Sequence, residues 1–373
     1  MRIRFGFGAA ALALAGPTLA VAQGTNALYP SASGLSGFEY QRYGFDKGYQ
    51  VQNASQWSIP FVLVAPLGRQ ASFDLTTHYA HTEVTTTGTQ TLSGLTDTQL
   101  RLLYTIGRQR AVASLSLNLP TGKHSFSTTQ FPVSSAISSN YLSFPVSSLG
   151  SGFGVTSGLA YATPAGSWNI GLAGSVRYQT SYQPFAGDTF RYNPGLEGRL
   201  RFGADRLMGE RGRFLFGLTY STFSTDQFSG TGSFVSGWYN PGSRFITDLG
   251  YAYGWGRTTL TVGAWDYYRL AGTANGASSS DTKENIFNTE VRVSRQLSPR
   301  FSVEPLVGFR QWSPGNIRGG RLWSFGANAR FGLSDQVSGF ASARIGTGWV
   351  FDPVAQRSDV SATGLSVYIR YQR

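Results

Sequence analysis

Apolar and polar residues alternate one for one along stretches of about ten residues, and this period constrains the fold more than any other feature of the chain. In Leu196–Phe202, LEGRLRF, the apolar Leu196, Leu200 and Phe202 are interleaved with Glu197, Arg199 and Arg201. A helix, whose faces recur every three to four residues, would mix the two sets. A strand sends successive side chains to opposite faces and separates them. The pattern recurs at Gln99–Ile106, Asn169–Gln179, Asn288–Val293, Leu322–Phe331 and Leu365–Tyr371. In each, one face is apolar or aromatic and the other carries Arg, Glu, Asn, Gln or Ser.

The period predicts sixteen strands, near 37–46, 53–65, 71–84, 97–107, 111–120, 152–163, 168–182, 193–204, 213–226, 243–254, 258–271, 284–297, 301–312, 320–333, 337–350 and 360–372. The first, GFEYQRYGF, mixes both patterns, and dropping the first pair leaves fourteen as the alternative. Short turns fall at alternate junctions: Pro66–Gln70, Gly107–Arg110, Thr163–Ser167, Gly254–Arg257, Leu297–Arg300 and Leu333–Gln336, with Ala204–Gly212 a longer one. The other junctions are long and polar, the largest being Pro120–Gly152. Loops sorted by length to the two ends, with strands long enough to cross a tilted bilayer path, are the pattern of a transmembrane antiparallel up-and-down β-barrel. Such a barrel leaves no backbone group unpaired in lipid. Charged residues make up only 13% of the chain, against about 25% in ordinary soluble domains. That low share suits a wall with one face in lipid. A soluble antiparallel sandwich with one wetted face is the rival fold.

Met1–Ala22 reads as a secretory leader: Arg2 and Arg4, an apolar run from Phe5 to Gly16, and Ala20-Val21-Ala22 before Gln23. The expected organisation is a leader over 1–22 and one outer-membrane barrel over 23–373, in a Gram-negative cell. The chain has no cysteine, which removes disulfides and thiolate metal sites.

Parity assigns the lumen-facing set. Arg101, Arg177, Arg199, Arg201, Arg292, Arg310, Arg330, Arg344 and Arg370 point inward, with Asp74, Glu197, Asp248, Glu290 and Glu304. The excess of arginine would bias a pore toward anions. Alternatively, Glu290/Arg292 and Glu304/Arg310 pair across neighbouring strands and stiffen the wall. From His124 to Val176 the chain carries no Asp, Glu, Lys or Arg. Within that span Phe126, Phe131, Tyr141 and Phe144 lie among serines, so the loop is expected to fold into or over the mouth as an apolar, hydroxyl-lined constriction. An external crown loop is the other reading.

Catalysis has little support. His78 and His81 fall on opposite faces, and His124 stands alone near serines. The spacing shows no metal cluster, and no cofactor is expected. The positive charge is dispersed over strands, which does not suit nucleic acid. The chain resembles the bacterial outer-membrane transporter-like barrels associated with the meta-cleavage pathway of phenol degradation. The resemblance rests on SLSLNLPTGK (Ser114–Lys123) and LGSGFGVTSGLAYATPAGSWNIGLAGSVRY (Leu149–Tyr178). It implies a channel for small, often aromatic, organic molecules. The partners expected are outer-membrane lipid and lipopolysaccharide, a small-molecule solute and the barrel assembly machinery. The expected function is a porin-like channel or transporter and not an enzyme. A plugged structural or adhesive barrel, and a barrel hydrolase built near His124, are the alternatives.

Overall fold

A strand in a closed sheet has both edges paired, so alternation along it decides only which solvent each face meets. The computed structural model describes residues 32–46, 51–107, 110–230, 236–279, 282–315, 318–351 and 357–373. The predicted leader lies outside them.

The chain begins with β1 (Ser33–Phe45), β2 (Asn53–Pro66), β3 (Ala71–Thr85), β4 (Thr89–Leu95), β5 (Thr98–Ile106) and β6 (Ala111–Leu119). A 3₁₀ turn (Thr128–Gln130) and α1 (Phe131–Ile137) follow. Next come β7 (Gly154–Ala165), β8 (Trp168–Gln179), β9 (Arg191–Asn193), β10 (Glu197–Met208), β11 (Gly212–Phe223), β12 (Asp226–Ser229) and β13 (Gly237–Asn240). The rest are β14 (Arg244–Trp255), β15 (Thr258–Arg269), β16 (Gly272–Ala274), β17 (Ala277–Ser279), β18 (Glu284–Ser298), β19 (Phe301–Pro314), β20 (Gly320–Gly332), β21 (Val337–Phe351) and β22 (Arg357–Gln372).

One sheet of 17 strands closes on itself through β1 and β22, paired antiparallel from Ser33↔Gln372 to Phe45↔Val360. Within it β4 pairs only with β3, as a hairpin arm, so sixteen strands form the wall. Each wall strand pairs antiparallel with its wall neighbours in sequence. The closed sixteen-strand antiparallel barrel matches the expectation and discards the fourteen-strand count.

The outer face is apolar. Leu200 is 64% exposed and Ile345 65%, values no soluble core strand would show. Outward residues of β8 run Trp168, Ile170, Leu172, Gly174, Val176, Tyr178: aliphatic in the middle, aromatic at both ends. In β14, Phe245 and Tyr253/Trp255 bracket Leu249 in the same way. Aromatic belts flanking an aliphatic band are the surface of a membrane barrel.

Several boundaries differ from expectation. Ala204–Gly212 is not a longer turn: β10 runs to Met208 and β11 starts at Gly212. Its polar residues are those of a barrel rim, where Arg213 pairs with Asp205 at 3.3 Å and Arg206 stacks on Trp168. The strand expected from 193 begins at Glu197, because Arg191–Asn193 joins a second sheet. That five-stranded sheet, β17-β16-β13-β12-β9, stands on the long-loop end. Its strands of three or four residues are too short to show a period.

Candidate functional site

The uncharged segment between β6 and β7 folds inside the barrel. It leaves and returns at one point, pinned by Asp97. Asp97 Oδ1 accepts from the Gly122 amide (3.1 Å), and Oδ2 accepts from the Ser151 amide (2.7 Å) and Asn118 Nδ2 (2.8 Å). A Cβ on Gly122 would lie 1.9 Å from the Leu149 carbonyl oxygen, so only glycine permits the two ends to meet. Between these ends runs α1, with proline in its first turn and Val133 and Ile137 buried. The tip then crosses to the far wall: β6 stands half way round the ring from β19.

The loop seats on an apolar floor. Val133, Ile137, Tyr141, Leu142, Phe144, Val146 and Leu149 pack with Tyr43, Ala54, Ala80, Val84, Leu322, Val350 and Val360 of β1, β2, β3, β20, β21 and β22. Its backbone is read by wall side chains. Gln56 receives the Val146 amide on Oε1 and donates from Nε2 to the Val146 carbonyl, both at 2.8 Å. Arg310 Nη1 donates to the Tyr141 carbonyl at 2.6 Å, and the Tyr43 hydroxyl donates to that of Leu142. Asn140 donates to Glu284 at 2.8 Å. A charge-free segment suits this place, because a charged side chain in the apolar seat would lose its hydration without gaining a partner.

Of the four aromatic residues expected at the constriction, Tyr141 and Phe144 are buried on the far wall. Phe126 packs at the edge of that same apolar cluster, whereas Phe131 lies elsewhere. Phe126 bridges by its backbone to Phe185, and Phe131 is 56% exposed with its ring 6.2 Å from that of Phe185, beside the β8–β10 connection.

The inward residues are largely paired. Arg101 pairs with Asp74, and Arg199 with Glu197, which Arg177 approaches at 3.9 Å. Arg201 reaches over β11 to Asp248 at 2.8 Å. A Cβ on Gly217 would meet both partners, at 2.6 Å and 2.3 Å, so a side chain there would push the bridge aside. Glu290 holds Arg292 and, at 2.9 Å, Arg344. The pairing expected between Glu304 and Arg310 does not form. The two are on one strand, Glu304 accepts from Asn328 (2.7 Å), and Arg310 turns to the loop. Arg330 stacks on Phe340, and Arg370 lines the same lumen sector.

Below the loop a cavity of about 1310 Å³ extends to the short-turn end. Its wall comes from β1, β14, β15 and β18–β22, with Ser143, Phe144 and Pro145 of the loop as its ceiling. Among the described residues, the loop makes no hydrogen bond to β10, β11, β14 or β15; there the lumen is bounded by the Glu197, Arg199, Arg201 and Asp248 pairs.

Sequence reasoning missed Tyr43, Gln56, Asp97 and Asn288. Parity marks Tyr43, Gln56 and Asn288 as inward, but nothing local says that a loop distant in sequence comes to meet them. Of the histidines, His78 faces the lumen and His81 stacks outside on Trp57. His124 Nδ1 is buried with no hydrogen-bond partner among the described residues. A hydrolase would need a nucleophile or an orienting carboxylate on that imidazole.

No family model matches the chain. No curated protein matches it. Solved structures that resemble it are a bacterial polysaccharide outer-membrane secretin (10% identity, TM-score 0.49, covering 91% of this chain and 98% of that one), a FadL homologue of Pseudomonas aeruginosa (9%, 0.48, 92% and 90%) and an anion-selective porin of Comamonas acidovorans (12%, 0.43, 92% and 99%). At these identities the likeness is one of barrel architecture and extends no further.

Proposed function

We propose that the protein is a passive outer-membrane channel for small solutes in which the loop between β6 and β7 sets the constriction. The observation that carries this reading is a charge-free loop folded across a closed barrel, above a cavity that reaches the opposite end. The apolar outer band with aromatic ends places the barrel in a membrane, with β9, β12, β13, β16 and β17 on the long-loop side. The passage runs between the loop's seat on β1–β3 and β18–β22 and the ion-paired arginines of β8, β10 and β11. Small organic molecules, aromatic ones included, and small anions suit that gap. The resemblance to the phenol meta-cleavage-pathway barrels supports the aromatic choice.

Planar-bilayer recording tests this. Because the loop's ends adjoin, residues 124–148 can be removed and Lys123 joined to Leu149 without strain on the wall. Stepwise conductance that rises on excision is the expected result. The buried seat of the loop favours one other reading, a permanently plugged barrel. That reading predicts silent bilayers for the intact protein and current only after excision.

A further inference from the structure

The cavity beneath the loop is lined by seven arginines and four carboxylates, a net +3. Its carboxylates are engaged. Glu290 is held by two arginines, Asp248 by Arg201, Asp335 by Arg300, and Glu39 by Ser58 and Tyr368. Among the described residues, the lining arginines Arg257, Arg310, Arg330 and Arg370 have no carboxylate within ion-pair reach.

Of the four, Arg310 is the one that reaches the loop, and it is only partly exposed. Its Nε donates to Asn288 Oδ1 at 2.8 Å, and its Nη1 to the loop carbonyls of Tyr141 and Leu142, at 2.6 and 3.4 Å. These partners are all neutral. The Tyr43 hydroxyl also lies against the guanidinium, and it too is neutral, so no counter-charge reaches Arg310. Asn288, fixed with its oxygen toward the guanidinium, has Nδ2 buried and without an acceptor. Arg310 and Asn288 line the cavity together, and so do Leu322, directly across the ladder from Arg310, and Phe144 and Pro145 of the loop. A partly buried cation without counter-charge, beside an amide donor without acceptor, wants an anion. The apolar groups around it want a hydrocarbon body.

We propose that Arg310 and Asn288 form a binding site for a small organic carboxylate at the inner end of the cavity. The carboxylate accepts from the Arg310 guanidinium and Asn288 Nδ2, and its apolar body lies against Leu322, Phe144 and Pro145. The site deepens the channel reading and rests on it for its use: it is where a solute halts before the constriction.

Calorimetric titration of the full chain in detergent with benzoate, benzyl alcohol and acetate tests the site without requiring conduction. Benzoate is expected to bind saturably at one site, benzyl alcohol not at all, and acetate more weakly than benzoate. Arg310→Gln removes a charge-assisted hydrogen bond and should weaken benzoate by about 10-fold or more. Arg213→Gln, at the rim and outside the cavity, should leave binding unchanged. Should Arg310→Gln fail to fold, the nearly isosteric Asn288→Asp, which neutralises Arg310 and repels the ligand, carries the same expectation. Absent binding to the wild type, equal binding by the neutral alcohol, or undiminished binding by folded Arg310→Gln or Asn288→Asp would overturn the site. Benzoate binding lost in these variants, together with bilayers silent even after loop excision, would uphold the site and reject the channel.

Discussion

Replacing Gln56 by Leu removes the wall's hold on the loop at Val146, together with one wall hydrogen bond, from Gln56 Nε2 to Thr82 Oγ1 at 3.0 Å. Gln56 is 1% exposed and pairs with both the amide and the carbonyl of Val146, itself buried. Leu fills nearly the same volume but offers neither donor nor acceptor. With the loop seated, two backbone groups then lie buried without partners; with the loop lifted, water satisfies both. Each unsatisfied group costs about 1–3 kcal/mol, so the seated state loses about 2–6 kcal/mol relative to the lifted one. At about 1.4 kcal/mol per tenfold, the equilibrium for lifting rises by at least about 30-fold. The barrel's backbone ladder is untouched and the wall loses only the Gln56–Thr82 bond, so resistance to unfolding in SDS should change little. The assay is hydrogen exchange at the Val146 amide, with single-channel open probability alongside. Protection at Val146 should fall about 30-fold or more. A fall of less than about threefold in a folded barrel would refute the reasoning, because it would mean that the apolar seat holds the loop without the Gln56 pair.

Three other outcomes follow from the geometry. Asp97→Ala removes three acceptor contacts at the loop's base, and limited proteolysis should then cut within 120–153, where the wild type resists. Arg199→Glu combined with Arg201→Glu sets like charges beside Glu197 and Asp248, and the reversal potential under a salt gradient should move toward cations. Leu200→Arg puts a charge on the outer face at mid-strand, and equilibrium unfolding from lipid vesicles should show a loss of about 2–4 kcal/mol, against little loss for Leu200→Ile.

The wall was legible because a closed sheet between lipid and water makes every residue declare its side. Most wall strands follow the period, and LEGRLRF turned out as read: Leu200 outward, Glu197, Arg199 and Arg201 inward. The rim was harder. Asp205 and Arg206 look like loop because rim residues meet water whichever way they point. The cap strands escaped because three or four residues cannot establish a period of two against chance.

By itself the sequence determined the barrel architecture, the solvent on each side of the wall and the end to which the long loops belong; closure through β1 decided sixteen crossings over fourteen. The first three are local properties, since alternation and turn residues act within a few positions of one another. The tertiary structure decided which inward charges meet, and where the charge-free loop goes. Arg201 finds Asp248 across an intervening strand because register and Gly217 allow it. Arg310 turns from Glu304 to the loop carbonyls because the tip arrives from half way round the ring. Such contacts depend on the closure of β22 on β1, and no stretch of the chain short enough to show a pattern contains that information.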